Sequence, residues 1–148
     1  MTSEHFQKGL SGFVRAFGLH HPIRTPCGQL MSVSEAHSLT LLSEQPQIAQ
    51  HDLGAALQLD KSSVSRLVDG LVRRGWLERA ANPDDGRSRC LSLTQAGEQA
   101  YGRLAEARAR KFDAVLAHIP SSEYAAVLHA LESLIRACDR ANQEENDA

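Results

Sequence analysis

No run of apolar residues in this chain approaches the roughly 18 needed to cross a bilayer, so no membrane span and no membrane partner are expected. Residues Met1 to Gln7 contain Glu4 and no apolar block of the kind an export signal needs, which makes the cytoplasm the expected location. Cysteine is scarce. Cys27, Cys90 and Cys138 stand far apart and fit neither a disulfide framework nor a CxxC zinc set, so they read as reduced thiols. Also missing are a glycine-rich phosphate loop, a nucleophile motif and paired carboxylates in a plausible site. Isolated Ser and His residues do not replace them, and neither an enzyme nor a bound cofactor is expected. What remains is a chain of 148 residues, long enough to bury a core and too short for two independent globular units.

The net charge of −2 at first argues against a nucleic-acid partner, because DNA binding is driven by phosphate neutralisation and counterion release. The charge is segregated, however. From Lys61 to Arg89 seven Lys and Arg face four acids, a local +3, which leaves 9 bases and 14 acids elsewhere, −5. The basic stretch is where a DNA surface would lie.

Periodicity divides the chain into helices with one short interruption by strands. Phe6, Leu10, Phe13, Val14 and Phe17 recur at helical spacing and predict a helix from about Ser3 to Leu19, broken by Pro22 and Pro26. Ser32 with Glu35 three residues on is a capping box opening the next helix, with Leu39 and Leu42 buried and Pro46 just past its end. A short helix follows from His51 to Leu57. After a tight connection at Gln58 to Asp60, the segment Lys61 to Arg74 carries Val64, Leu67, Val68, Leu71 and Val72 on one face. Its opposite face holds Ser62, Ser63, Ser65, Arg66, Asp69 and Arg73, and Gly75 stops it. Trp76 to Ala80 and Arg89 to Leu93 read as strands joined by Asn82-Pro83-Asp84-Asp85-Gly86, which is turn chemistry throughout. Thr94 caps a long helix to about His118. Pro120-Ser121 starts the last one, with Val127, Leu128, Leu131, Leu134 and Ile135 on one side and an acidic, frayed tail from Asn142.

Two tightly joined helices, the second polar and basic outside, then a glycine stop and a basic-tipped hairpin, form a winged helix-turn-helix pattern. A major groove about 12 Å wide admits one α-helix, and the side chains entering it must be small or able to hydrogen-bond. Lys61, Ser62, Ser63, Ser65, Arg66 and Arg73 meet that need on the helix, where free N-terminal amides would favour a phosphate. Arg87 and Arg89 on the hairpin would reach the neighbouring minor groove. The plainer reading of the arginines is ion pairing within the hairpin, with Asp85 bracing Arg87 or Arg73. A winged helix used only for protein contact is the alternative from another functional class.

The run Asp52-Leu53 to Leu59, Ser62-Ser63-Val64-Ser65-Arg66-Leu67-Val68, Leu71 to Arg79 and Asn82 to Ser88, through Leu91-Ser92-Leu93-Thr94-Gln95-Ala96-Gly97, resembles the multiple antibiotic resistance regulator (MarR) family. The match is close over about Gln47 to Gly97, with spacing kept from the helix pair through the wing into the next helix. The resemblance implies a mainly α fold with a small β-hairpin wing, as one domain over residues 1–148. A DNA-binding lobe is expected at about 32–97, and dimerisation helices at about 3–19 and 94–141. It implies a homodimer on a double-stranded, pseudo-palindromic operator, a repressor released by a small-molecule effector, an oxidant or a metal. The apolar stripes of the terminal helices, too wide for one wing-sized core, point to a dimer separately.

For the signal, His20, His21, Cys27, Glu35 and His37 lie between the first helix and the DNA-binding lobe, where the family places its effector pockets. Cys27 near histidine suits a thiol of lowered pKa or a soft metal. Ser34 to Leu39 is similar to the segment of zinc-responsive members in which a His is a ligand. After the wing, though, this chain has Arg103, Arg108 and Arg110 and no His until His118, so the rest of that site is absent and no metal set is assigned.

Overall fold

The computed structural model describes residues 1–87 and 89–147; Ser88 and Ala148 lie outside the described residues. Two compact units are present, Met1–Lys111 and Phe112–Ala148. The first begins with helix α1, Ser3–Phe17, capped by the Thr2 hydroxyl and ended by Gly18 at φ 90°. Helix α2 is Val33–Glu44, and its capping box forms as the spacing predicts: Glu35 N donates to Ser32 Oγ at 3.1 Å and Ser32 N to Glu35 Oε2 at 2.7 Å. Next come strand β1, Ile48–Ala49, helix α3, Gln50–Ala56, and helix α4, Lys61–Arg73. Strands β2, Leu77–Ala81, and β3, Arg89–Leu93, precede helix α5, Gln95–Leu116.

The sheet has one strand more than the sequence pattern indicates. Its order is β1-β3-β2, all antiparallel, with Ile48 opposite Leu91 on one side of β3 and Leu77 opposite Leu93 to Ala81 opposite Arg89 on the other. Two residues carry no readable alternation, and only pairing with β3 makes β1 a strand.

The core forms in two parts. Leu42, Ile48, Leu53, Val64, Val68, Leu71, Leu77 and Leu91 bury the inner faces of the helix pair and sheet together. Met31, Ala36, Leu39, Ala100 and Leu104 pack α2 against α5. Burying each large apolar side chain contributes about 1.5–3 kcal/mol, which makes the inner stripe of α4 the anchor of its polar face.

The end of α4 is set by a glycine. Gly75, at φ 74°, donates to Val72 O at 2.9 Å, and Trp76 N donates to Leu71 O at 3.0 Å, the paired bonds of a Schellman stop. Thr94 then docks on this corner: its N–H donates to Trp76 O at 3.0 Å and its hydroxyl to Gly75 O at 2.5 Å, while that same hydroxyl accepts from Gly97 N at 3.0 Å and caps α5.

The second unit holds the end of α5, a 3-10 turn at Ser121–Glu123 and helix α6, Tyr124–Asn146. The Tyr124 hydroxyl donates to Leu116 O at 3.1 Å, closing the corner between the helices. The expected frayed tail is instead helical through Asn146, since Asn142 to Asn146 contains neither proline nor glycine to stop it.

A Cβ built on Gly97 would lie 2.0 Å from Trp76 O, a backbone atom that cannot move aside. Gly97→Ala should therefore destabilise the fold by about 1–3 kcal/mol, read as a lower urea midpoint at unchanged m-value.

Candidate nucleic-acid interface

The polar face of α4 is built by its buried one. With Val64, Val68 and Leu71 turned inward, Ser62, Arg66, Asp69 and Arg73 fall on one outward stripe, flanked by Ser63 and Ser65. Lys61, Ser62, Arg66 and Arg73 are exposed, and Ser63 and Ser65 are half-buried. The wing lies beside them. A cleft of about 510 Å³ is lined by Lys61 and Val64 of α4, Gln50, His51 and Gly54 of α3, and Leu59, Arg87 and Arg89. The structure thus brings Lys61 together with the two wing arginines. Gln50 and His51 join this cleft without any signal in the sequence.

The start of α4 differs from the sequence expectation. Its free amides were expected to attract a phosphate, but Asp60 is the N-cap and its carboxylate accepts from Ser63 N at 2.8 Å. It also accepts from Ser62 Oγ at 2.7 Å and Ser63 Oγ at 2.8 Å. These bonds, the Ser62 hydroxyl foremost, hold the Asp60 pKa far below the usual carboxylate range. An ionised carboxylate only accepts, so both serine protons are committed to it. What the two hydroxyls present outward is oxygen lone pairs, and that of Ser63 accepts from Arg66 Nη2 at 3.2 Å. The sequence signal was present, an Asx residue one place before the first helical position.

The wing is braced at its base. Arg79 Nη2 of β2 donates to Asp69 Oδ1 of α4 at 2.6 Å, tying strand to helix. Within the turn, Asp84 N donates to Asn82 Oδ1 and Arg87 N to Asp85 Oδ1, each at 3.0 Å. Asp85 thus holds the backbone of Arg87, and the α4–wing ion pair is made by Asp69 and Arg79.

The residues between α1 and α2 do not converge on one point. Cys27 lies in the loop, its sulfur 3.2 Å from Thr25 Oγ1, on a cavity of about 380 Å³ lined also by Pro26, Gly28, Gln29, Ala107, Arg110 and Lys111. His20 and His21 are exposed, and His21 Nδ1 accepts from Ile23 N at 3.4 Å. Glu35 is engaged by the capping box. Among the described residues no three His, Cys, Asp or Glu side chains group as a metal site. Among the described residues, no helix is long and apolar enough to cross a membrane. His37 has much of its surface in solvent, yet partial desolvation, with the Arg108 guanidinium second, lowers its pKa below the ordinary 6.5.

A β2–β3 hairpin, bordered by the short β1, beside an exposed polar helix defines a class of fold, the winged helix-turn-helix. The MarR family model matches residues 31–88, and over this segment the chain is similar to the MarR family. A protein assigned to transcriptional regulation of the hcr operon in Thauera aromatica is 30% identical over 98 residues, 66% of this chain and 59% of that relative. The chain thus spans about three fifths of the length of the first curated relatives it matches, 59% and 57%. The PcaV transcriptional regulator of Streptomyces coelicolor, solved in complex with its natural ligand, superposes with a TM-score of 0.72 at 25% identity, over 93% of this chain and 94% of that one. Streptococcus pneumoniae FabT, solved in complex with DNA, gives a TM-score of 0.78 at 16% identity over 95% and 99% of the two chains, a likeness of fold.

The depressed His37 pKa has a defined sign. The folded state binds fewer protons than the unfolded chain below 6.5, so the contribution is full above 6.5 and is lost as pH falls through the folded-state value. His37→Gln should flatten the decline of the thermal midpoint below pH 6.5, measured by circular dichroism from pH 8 downward.

Proposed function

We propose that the chain is a homodimeric, sequence-specific DNA-binding transcription regulator acting as a repressor in the cytoplasm. The observation that carries this is the cleft where Lys61, Arg87 and Arg89 meet beside the outward stripe of α4. Helix and wing there present cations and hydrogen-bonding side chains on one continuous surface, as a groove and its flanking phosphates require. Ser62, Ser63, Ser65, Arg66 and Arg73 are assigned to the major groove, and Arg87 and Arg89 to the adjacent minor groove and backbone.

The dimer reading rests on unpartnered apolar surface. Helix α1 buries none of its residues, and Phe6, Leu10 and Phe13 stay exposed. Helix α6 also buries none, leaving Val127, Leu128, Leu131 and Ile135 exposed. Two-fold symmetry would set two copies of α4 on successive turns of one DNA face, which matches a pseudo-palindromic operator. For release, the cavity at Cys27 favours a small ligand or an oxidant over a metal, because His20, His21 and His37 do not line it.

Capture of genomic fragments by the purified protein, followed by titration of a captured duplex, tests this reading. Affinity should fall at least about a thousandfold between 50 and 200 mM salt; a winged helix used only for protein contact would bind weakly with little salt dependence. Arg66→Ala should cost about 1–3 kcal/mol of specific binding if its guanidinium meets a guanine edge, and unaltered affinity would remove it from the interface. Leu131→Asp and Leu134→Asp should sediment as monomers and lose operator binding, whereas a tight-binding monomer would refute the dimer.

A further inference from the structure

Arg74 stands one residue past the end of α4, yet its guanidinium reaches away from the outward stripe of that helix. Its Nη2 donates to Leu30 O at 2.8 Å, across 44 positions of sequence. Nη1 lies 3.6 Å from Glu35 Oε2, the carboxylate that closes the capping box of α2. The guanidinium plane covers the Trp76 ring at 4.2 Å. One side chain thus joins the C-terminal end of α4, the start of α2 and the segment before α2.

That segment is a closed unit. Thr25 N donates to Gln29 O at 3.0 Å, Gly28 N to Thr25 O at 2.9 Å, and Gln29 N to Thr25 Oγ1 at 3.0 Å. Thr25 and Met31 anchor it, at 5% and 4% exposure. A turn tied this way moves as one piece. Its Cys27 and Gln29 face the cavity shared with Arg110 and Lys111, and its Leu30 carbonyl is the one Arg74 holds.

We propose that Arg74 is a positioning residue that couples the Thr25–Met31 turn, and through it the Cys27 cavity, to the C-terminal end of α4. Displacement of the turn pulls on Leu30 O, and the guanidinium transmits it to the Arg74–Trp76 corner, where the Schellman bonds of Gly75 and Trp76 fix the end of the helix. By linkage the effect is reciprocal: whatever fixes α4 also fixes the turn. The inference rests on reading the protein as a regulated DNA binder, but it concerns the free chain and is tested there.

The full chain with Cys90→Ala and Cys138→Ser leaves Cys27 as the sole thiol, which is then blocked with N-ethylmaleimide. Amide hydrogen exchange is followed over Leu71 to Trp76 before and after blocking. In this background, blocking Cys27 should speed exchange there by at least about fivefold. With Arg74→Gln added, exchange should be faster from the outset and blocking should change it less than about twofold. Arg74→Lys, which keeps one donor for Leu30 O, should respond to an intermediate degree. A purely structural role would raise the starting rate and leave the response intact. An equal response with and without Arg74, or none in the background, overturns the proposal. Should Arg74→Gln fail to fold, Arg74→Lys decides alone, and an undiminished response there overturns it. Failure of the DNA-binding reading appears separately, as a protein that captures no genomic fragment.

Discussion

The architecture of the first unit depends on one corner, where the backbone of Gly75 and Trp76 meets that of Thr94 and Gly97. Helix α4 must stop there, β2 must begin, β3 must end beside it and α5 must start. The single hydroxyl of Thr94 serves both helices, donating to Gly75 O and accepting from Gly97 N. No Cβ fits at Gly97 because Trp76 O occupies its place. A shift at this corner would tilt the polar face of α4 and the wing relative to each other, so the proposed duplex-binding surface is fixed from behind.

On that frame the interface is organised by carboxylates as much as by cations. Asp60 orders the two serines at the head of α4, and Asp69 holds Arg79 at the base of the wing. Asp69 is charge-paired with Arg79, whereas Asp60, held by neutral serine hydroxyls, keeps its negative charge beside Lys61. Formal charge in the window is therefore a coarse guide. The cations that remain outward, on the wing and on the stripe of α4, form the useful subset.

Much of this was legible in the sequence because it obeys local rules. The α4 stripe, the Gly75 stop, the Ser32–Glu35 box and the Asn82–Gly86 turn each declare themselves within a few residues. Their conjunction in one window pointed to a winged helix-turn-helix of MarR type. What escaped was non-local or too short to show a period. Ile48 and Ala49 are a strand only because β3 lies beside them. Arg74 reads as a helix-end cation, and nothing near it in sequence announces Leu30 as its partner. Gln50 and His51 reach the cleft through the angle between α3 and the wing. Asp60 is legible too, since a helix begins just after an Asx residue, and this places it as the cap of α4 rather than as part of the connection.

The short strand β1 has an effect on assembly. A sheet edge with free amides and carbonyls is a template on which another chain can add a strand. Here β3 is central, one border is only Ile48–Ala49, and the other carries Glu78 and Arg79 in the exposed stretch of β2. Neither border offers a long, uncharged ladder for a stray polypeptide to extend, which guards the protein against fibril-like growth.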